Sequence, residues 1–120
     1  MARTAPSIDS YGAGGFRLSG GWRDGSVLIV RDEPRAWPVT GPADLTRESL
    51  APVFAAGPAE VEFLLLGMGT ANALPPREVR DSIRAAGMGL EFMDTPSAAR
   101  LYNVLTSEGR RLAAALIAVG

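Results

Sequence analysis

Two apolar runs limit what this chain can become. Phe63-Leu64-Leu65-Leu66 and the stretch from Leu112 to Val119 contain no polar residue. Short uniform runs suit strands covered on both faces, because a half-exposed strand would alternate. Between them the apolar spacing becomes helical. Pro75-Pro76 opens a segment in which Val79, Ile83 and Ala86 line one side, with Arg77 and Asp81 as an i, i+4 surface pair. Gly87 ends it, and Leu90 to Met93 reads as another strand. Thr95 can then cap a helix whose first position suits Pro96. Ala98, Leu101, Tyr102 and Leu105 give that helix one buried face, Arg100, Asn103 and Ser107 fall opposite, and Gly109 supplies the stop. Strand, helix, strand, helix, strand over 61–119 implies parallel pairing with right-handed crossovers and a central last strand.

The first third has a different rhythm. Residues 1–7 read as a flexible tail before a single domain over 8–120. Ile8 to Tyr11, Phe16 to Leu18, a short piece from Trp22, and Ser26 to Val30 are strands divided by glycine-rich turns, with Asp24-Gly25 as the strongest hairpin signal. Asp32-Glu33-Pro34 reads as a turn, and Ala36 to Val39 as an edge piece, since proline cannot serve a central ladder. Thr46 can cap a helix from about Arg47 to Ala56, buried through Leu50, Val53 and Phe54. The whole is an α/β domain in which an antiparallel meander packs on, or extends, a mixed sheet. The glycines at 12–15 lie between strands, so they lack the strand-to-helix setting of a phosphate loop.

Composition removes whole classes of chemistry. The 120 residues include no His and no Cys, and all 12 basic residues are Arg. Thiol nucleophiles, His-based triads, zinc fingers, Schiff bases and the P-loop lysine are therefore excluded. No catalytic residue, metal site or cofactor is assigned. The net charge of −1 gives no general pull toward nucleic acid. No run approaches the ~20 apolar residues of a membrane span, and the N-terminus lacks the apolar core of a signal peptide, so a cytoplasmic protein is expected.

Parallel sheets gather ligands at the carboxyl ends of their strands. That rule brings Gly67, Gly69, Thr70 and Asn72 near Asp94, with Arg100 and Asn103 on the helix beyond. These residues could form a small polar pocket for an anion. The alternative is that the glycines shape a turn and Asp94 assists a helix N-terminus. Glu108 follows the apolar stripe to the negative end of the same helix, where a carboxylate needs a partner. Arg110 or Arg111 is the expected one, in a partly buried structural ion pair, with Arg17 as a further possibility. Tyr11, Trp22 and Trp37 crowd the meander, either as core or as an exposed surface for a partner.

Several of these segments together resemble a known family. They are Ile8-Asp9-Ser10-Tyr11-Gly12, Gly15-Phe16-Arg17, Ser26 to Ile29, Trp37, Leu65-Leu66-Gly67-Met68-Gly69 and Met93-Asp94-Thr95. Arg100-Leu101-Tyr102-Asn103-Val104-Leu105, Glu108-Gly109-Arg110-Arg111 and Ala113 to Ile117 complete the pattern. The chain is similar to a small domain family of largely uncharacterised bacterial and archaeal proteins. That family includes a mitochondrial complex I assembly factor, the third of the NADH dehydrogenase alpha-subcomplex assembly factors, and the adipogenesis-associated domain-containing protein. The resemblance implies a three-layer β/β/α domain with an N-terminal antiparallel meander and a C-terminal βαβαβ part. It implies no established enzyme activity and no catalytic residue. Leu101 stands where Thr or Ser is expected, so no hydroxyl role carries over there.

Two functions compete. One is a non-enzymatic protein-interaction module resembling the complex I assembly factors, with partners among respiratory-complex or membrane-protein assembly or export components. The other is a small-molecule binder or carboxylate-based enzyme with its pocket near Asp94. A deep polar cleft would favour the second, and an exposed apolar patch the first.

Overall fold

Right-handed crossovers explain how the layers arise. The computed structural model of the chain describes residues 5–120, and the first four residues of the expected tail lie outside that range. Strands β1 (Ile8–Gly12), β2 (Gly15–Leu18) and β3 (Gly21–Asp24) form a small antiparallel sheet. Strands β4 (Ser26–Val30) and β5 (Glu33–Trp37) form a hairpin. With β6 (Phe63–Gly67), β7 (Gly89–Met93) and β8 (Leu112–Leu116) it makes a five-stranded sheet of order β5-β4-β8-β6-β7. The meander thus does both things expected of it: β1–β3 pack on the main sheet, and β4–β5 extend it. The α-helices among the described residues are α1 (Ala51–Ala56), α2 (Arg77–Ala85) and α3 (Thr95–Ser107), with short 3₁₀ turns at Pro42–Asp44 and Glu48–Leu50.

The chain steps outward from β6 to β7 through α2, then back across β6 to β8 through α3. Keeping both crossovers right-handed on opposite steps requires the two helices to lie on opposite faces. The packing agrees. Val53 of α1 and Val79 and Ile83 of α2 share one core with Leu64, Leu66, Ala113 and Ala115. Ala98, Ala99 and Tyr102 of α3 share the other with Leu65, Ala114, Leu116 and, from the small sheet, Ile8, Phe16 and Leu18. The side chains of β6 and β8 alternate between two buried faces, which is why those runs carry no polar residue. β8 is the central strand, antiparallel to β4 and parallel to β6.

Local chemistry moves some boundaries. Val30 pairs with Glu33, so Arg31 and Asp32 form a two-residue turn with φ of 54° and 65°. Two left-handed residues match the strand twist, and β5 begins earlier than its sequence indicates. Pro34 is tolerated because β5 is an edge. The helix expected from Arg47 is divided. Pro52 cannot sit inside a longer α-helix, so Glu48–Leu50 form a 3₁₀ turn and α1 starts at Ala51. The Thr46 hydroxyl accepts from Ser49 N–H at 3.1 Å and so closes the 3₁₀ turn. Asp24-Gly25 does not close a hairpin; β3 and β4 belong to different sheets, and this turn carries the chain between them. Ser7 is held against Ser19 through both main-chain groups, at 2.9 and 3.2 Å, so its segment is tied to the small sheet.

Candidate functional site

Because α2 and α3 leave on opposite faces, a crevice is expected between the carboxyl ends of β6 and β7. The protein's own bonds lace it shut. Met68 N–H donates to the Met93 carbonyl at 2.8 Å, and Thr95 N–H to the Gly69 carbonyl at 2.8 Å. The Thr95 side chain, with 0% exposure, accepts from Gly69 N–H at 3.0 Å and donates from its hydroxyl to the Ile117 carbonyl at 2.7 Å. A Cβ on Gly67 would lie 2.9 Å from both that hydroxyl oxygen and Leu116 Cδ2. Glycine at 67 is therefore what lets the hydroxyl reach the main chain. Gly69 has a φ of 104°, a left-handed value that suits glycine.

Thr95 is consequently not the helix cap. Asp94 is: its Oδ1 accepts from Ser97 N–H at 2.8 Å and its Oδ2 from the Ser97 hydroxyl at 3.1 Å. The Ser97 main-chain bond, then the Ser97 hydroxyl, hold the Asp94 carboxyl below its usual range, and Arg100 adds a weaker pull in the same direction. Arg100 Nη2 lies 3.4 Å from Ser97 Oγ, on the exposed side. Gly67, Gly69, Asp94 and, through Ser97, Arg100 are thus brought to one end of the sheet. Thr70 and Asn72 are exposed on the loop beyond. Asn103 is not part of this group, because its amide bonds the main chain of Ile8 in β1. Thr95 is the residue that sequence reasoning misplaced. The two glycines flanking Met68 were the signal that some group approaches that backbone closely.

The charged corner is built differently from expectation. Glu108 is exposed, because it continues the helical line of Val104, whose carbonyl its N–H bonds and which is itself 53% exposed. The carboxylate that Arg110 and Arg111 share is Glu62. Arg110 Nε lies 3.1 Å and Arg111 N–H 3.3 Å from Glu62 Oε2, while Arg111 Nη1 donates to the Ala59 carbonyl at 2.7 Å. Arg110 also lies over the Phe63 ring, 5.4 Å from its centre. Arg110 is the main reason the Glu62 carboxyl is held low. Glu62 is the one polar residue in 61–66, and that was its signal. Arg17, the other suggested partner, donates to the Gly20 carbonyl at 3.0 Å.

The three meander aromatics divide. Trp37 is only 4% exposed and donates from Nε1 to the Ser49 carbonyl at 2.7 Å, so it is a core residue and not part of a surface. Tyr11 and Trp22 are 38% and 42% exposed. Tyr11 pairs with Phe16, and Trp22 with Arg17, which places the two on opposite faces of the small sheet. The Trp22 ring lies over Gly15, where a Cβ would come within 2.7 Å of ring carbon Cζ2. Its Nε1 donates to Asp24 Oδ1 at 2.7 Å. The indole is therefore fixed flat on the outer face.

Known proteins share this architecture. An uncharacterized protein of Rhodobacter capsulatus is 42% identical over 111 residues, covering 92% of this chain and 82% of the relative. NADH dehydrogenase (ubiquinone) 1 alpha subcomplex assembly factor 3 of Danio rerio is 34% identical over 110 residues, covering 92% of this chain and 63% of that protein. The chain spans about three fifths of the length of the assembly factors it matches. A crystal structure described as an outer membrane protein from Bartonella henselae matches with a TM-score of 0.91 at 32% identity, covering 100% of both chains. Among the described residues no helix is long and apolar enough to cross a membrane. A family model described as protein of unknown function (DUF498/DUF598) matches residues 8–117, and the chain belongs to that family.

Proposed function

We propose that the chain is a non-enzymatic protein-interaction module of the assembly-factor kind, acting in the cytoplasm on components of a membrane-bound complex. Its likeness to assembly factor 3 over 92% of the chain supports this reading. The observation that carries it is Trp22. An indole held flat over Gly15, with its N–H already bonded to Asp24, presents an apolar face that needs little further ordering on contact. The closed crevice weighs in the same direction. Polar atoms around Thr95 that could have faced a ligand bond one another instead.

The test is complementation in a host that makes respiratory complex I and lacks its own member of this family. The amount of assembled complex is read on native gels. The wild-type chain should restore it, and Trp22→Ala should not, although the purified variant melts close to wild type. Restoration by Trp22→Ala would move the contact away from this face. Normal assembly in the host without the chain would sink the reading.

A further inference from the structure

We infer that the open edge of β7 receives an extended segment of a partner protein, one that alternates carboxylate-bearing and apolar side chains. The inference rests on the proposal that the chain works by binding proteins, and it names a site and a partner chemistry. The five-stranded sheet ends in β5 on one side and β7 on the other. β5 is guarded, since Pro34 within it has no N–H to give a further strand. β7 has no proline, and its register with β6 runs without a bulge. Gly89 N–H and the Met93 carbonyl bond toward β6, at 2.9 and 2.8 Å. Main-chain direction alternates along a parallel strand, so the N–H and C=O groups of Leu90 and Phe92 face outward.

Two clefts flank this edge, one on each face of the sheet. The cleft on the α2 side, about 520 Å³, is lined by Leu74, Arg80, Arg84, Met88, Leu90 and Phe92. The cleft on the α3 side, about 480 Å³, includes Phe63, Glu91, Leu101, Leu105 and Arg110. A strand added to β7 sends successive side chains into alternate clefts, while its main chain bonds Leu90 and Phe92. The charges lining the α2-side cleft are both arginines. Arg77 nearby is paired with Asp81, whereas no described ion pair engages Arg80 or Arg84. Arg80 is fixed by its Nε–H bond to the Pro75 carbonyl at 3.0 Å. Beside them Leu74 is 63% exposed. A carboxylate on an apolar stem fits that combination. In the α3-side cleft Arg110 is already paired with Glu62, and the half-buried Leu101 and Leu105 suit an apolar side chain. A second copy fits less well. β7 against β7 in antiparallel pairing would put both arginine pairs on one face, and the lining of this cleft supplies no carboxylate to meet them.

The test uses the purified, ¹⁵N-labelled chain and a blocked peptide of about seven residues alternating Glu and Leu. Saturable amide shifts at Leu90 and Phe92 are expected, with affinity about tenfold lower for the Arg80→Glu/Arg84→Glu double variant. A control peptide with Lys in place of every Glu should not bind, and this control does not depend on the variant folding. Equal binding of the two peptides would overturn the inference. So would shifts confined to other strands, no binding at about millimolar peptide, or dimerisation of the free chain through β7. The two proposals fail separately. Absent peptide binding with intact complementation removes the edge site alone. Intact peptide binding with normal complex assembly in the host without the chain removes the assembly role alone.

Discussion

The side-chain amide of Asn103 holds both main-chain groups of Ile8. Nδ2 donates to the Ile8 carbonyl at 2.8 Å, and Oδ1 accepts from Ile8 N–H at 2.8 Å. The amide of a helix residue thereby acts as the strand neighbour that β1 lacks on its outer edge, next to the register shift between Ile8 and Ser10. It clamps α3 to the small sheet. Asn103→Leu would leave both groups of Ile8 unpaired, at a loss of about 1–3 kcal/mol. The denaturant midpoint should fall, and amide exchange should quicken along β1. An unchanged midpoint would mean that water replaces the amide without penalty.

Thr95 makes a sharper comparison, because its hydroxyl is fully buried between Gly69 and Ile117. Thr95→Val keeps the shape and strands one donor and one acceptor. The expected loss is about 2–4 kcal/mol, from two unsatisfied buried groups. Thr95→Ser keeps the hydroxyl and removes one methyl, for about 1 kcal/mol. Urea unfolding of the two variants orders them. A valine variant as stable as the serine variant would show that the crevice is closed by packing alone.

These residues also show where sequence reading stops. The strands expected over 61–66 and 112–119, and found at 63–67 and 112–116, were legible because burial on both faces leaves 63–66 and 112–119 without a polar residue. The two-residue turn at Arg31-Asp32 was not, because neither residue carries the usual glycine or asparagine mark of left-handed backbone. Asp94 and Thr95 are both good caps by type. What separates them is tertiary: Gly69 and Ile117, far apart in the chain, claim the threonine and leave the aspartate for Ser97. Trp37 and Trp22 look alike in sequence. Only the carbonyl of Ser49, presented by a turn whose length Pro52 sets, shows that Trp37 belongs inside.

Glu108 gives a prediction opposite to that of the partly buried ion pair expected for it. It is an exposed C-cap, while Arg110 engages Glu62 and covers Phe63. Glu108→Ala should therefore change stability by no more than about 0.5 kcal/mol, the range of ordinary surface substitutions. Arg110→Ala should lower the melting midpoint more, because it removes both the Glu62 pair and the cover on the Phe63 ring. Equal midpoints for these two variants would assign no structural weight to the Glu62–Arg110 corner.

The pH profile follows from which groups titrate. With no His and no Cys, no side chain has an ordinary pKa between about 5 and 8. Among the described residues four carboxyls are held below their usual range. The Ser7 hydroxyl and Gly20 N–H act on Asp9, and the Thr40 hydroxyl and N–H act on Asp44. Arg110 acts on Glu62, and Ser97 on Asp94. A carboxyl with a lowered pKa in the folded state binds fewer protons there than in the unfolded chain. Its contribution is present above the unfolded pKa, near 4, and is lost as pH falls through the folded value. The melting midpoint should be flat between about pH 6 and 8 and should fall below about pH 4.5. Asp94→Asn isolates one contribution, because asparagine also caps a helix but does not titrate. Its midpoint should lie close to wild type at neutral pH and decline less steeply in acid. An acid limb as steep as that of the wild type would show that the Asp94–Ser97 cap carries no proton linkage.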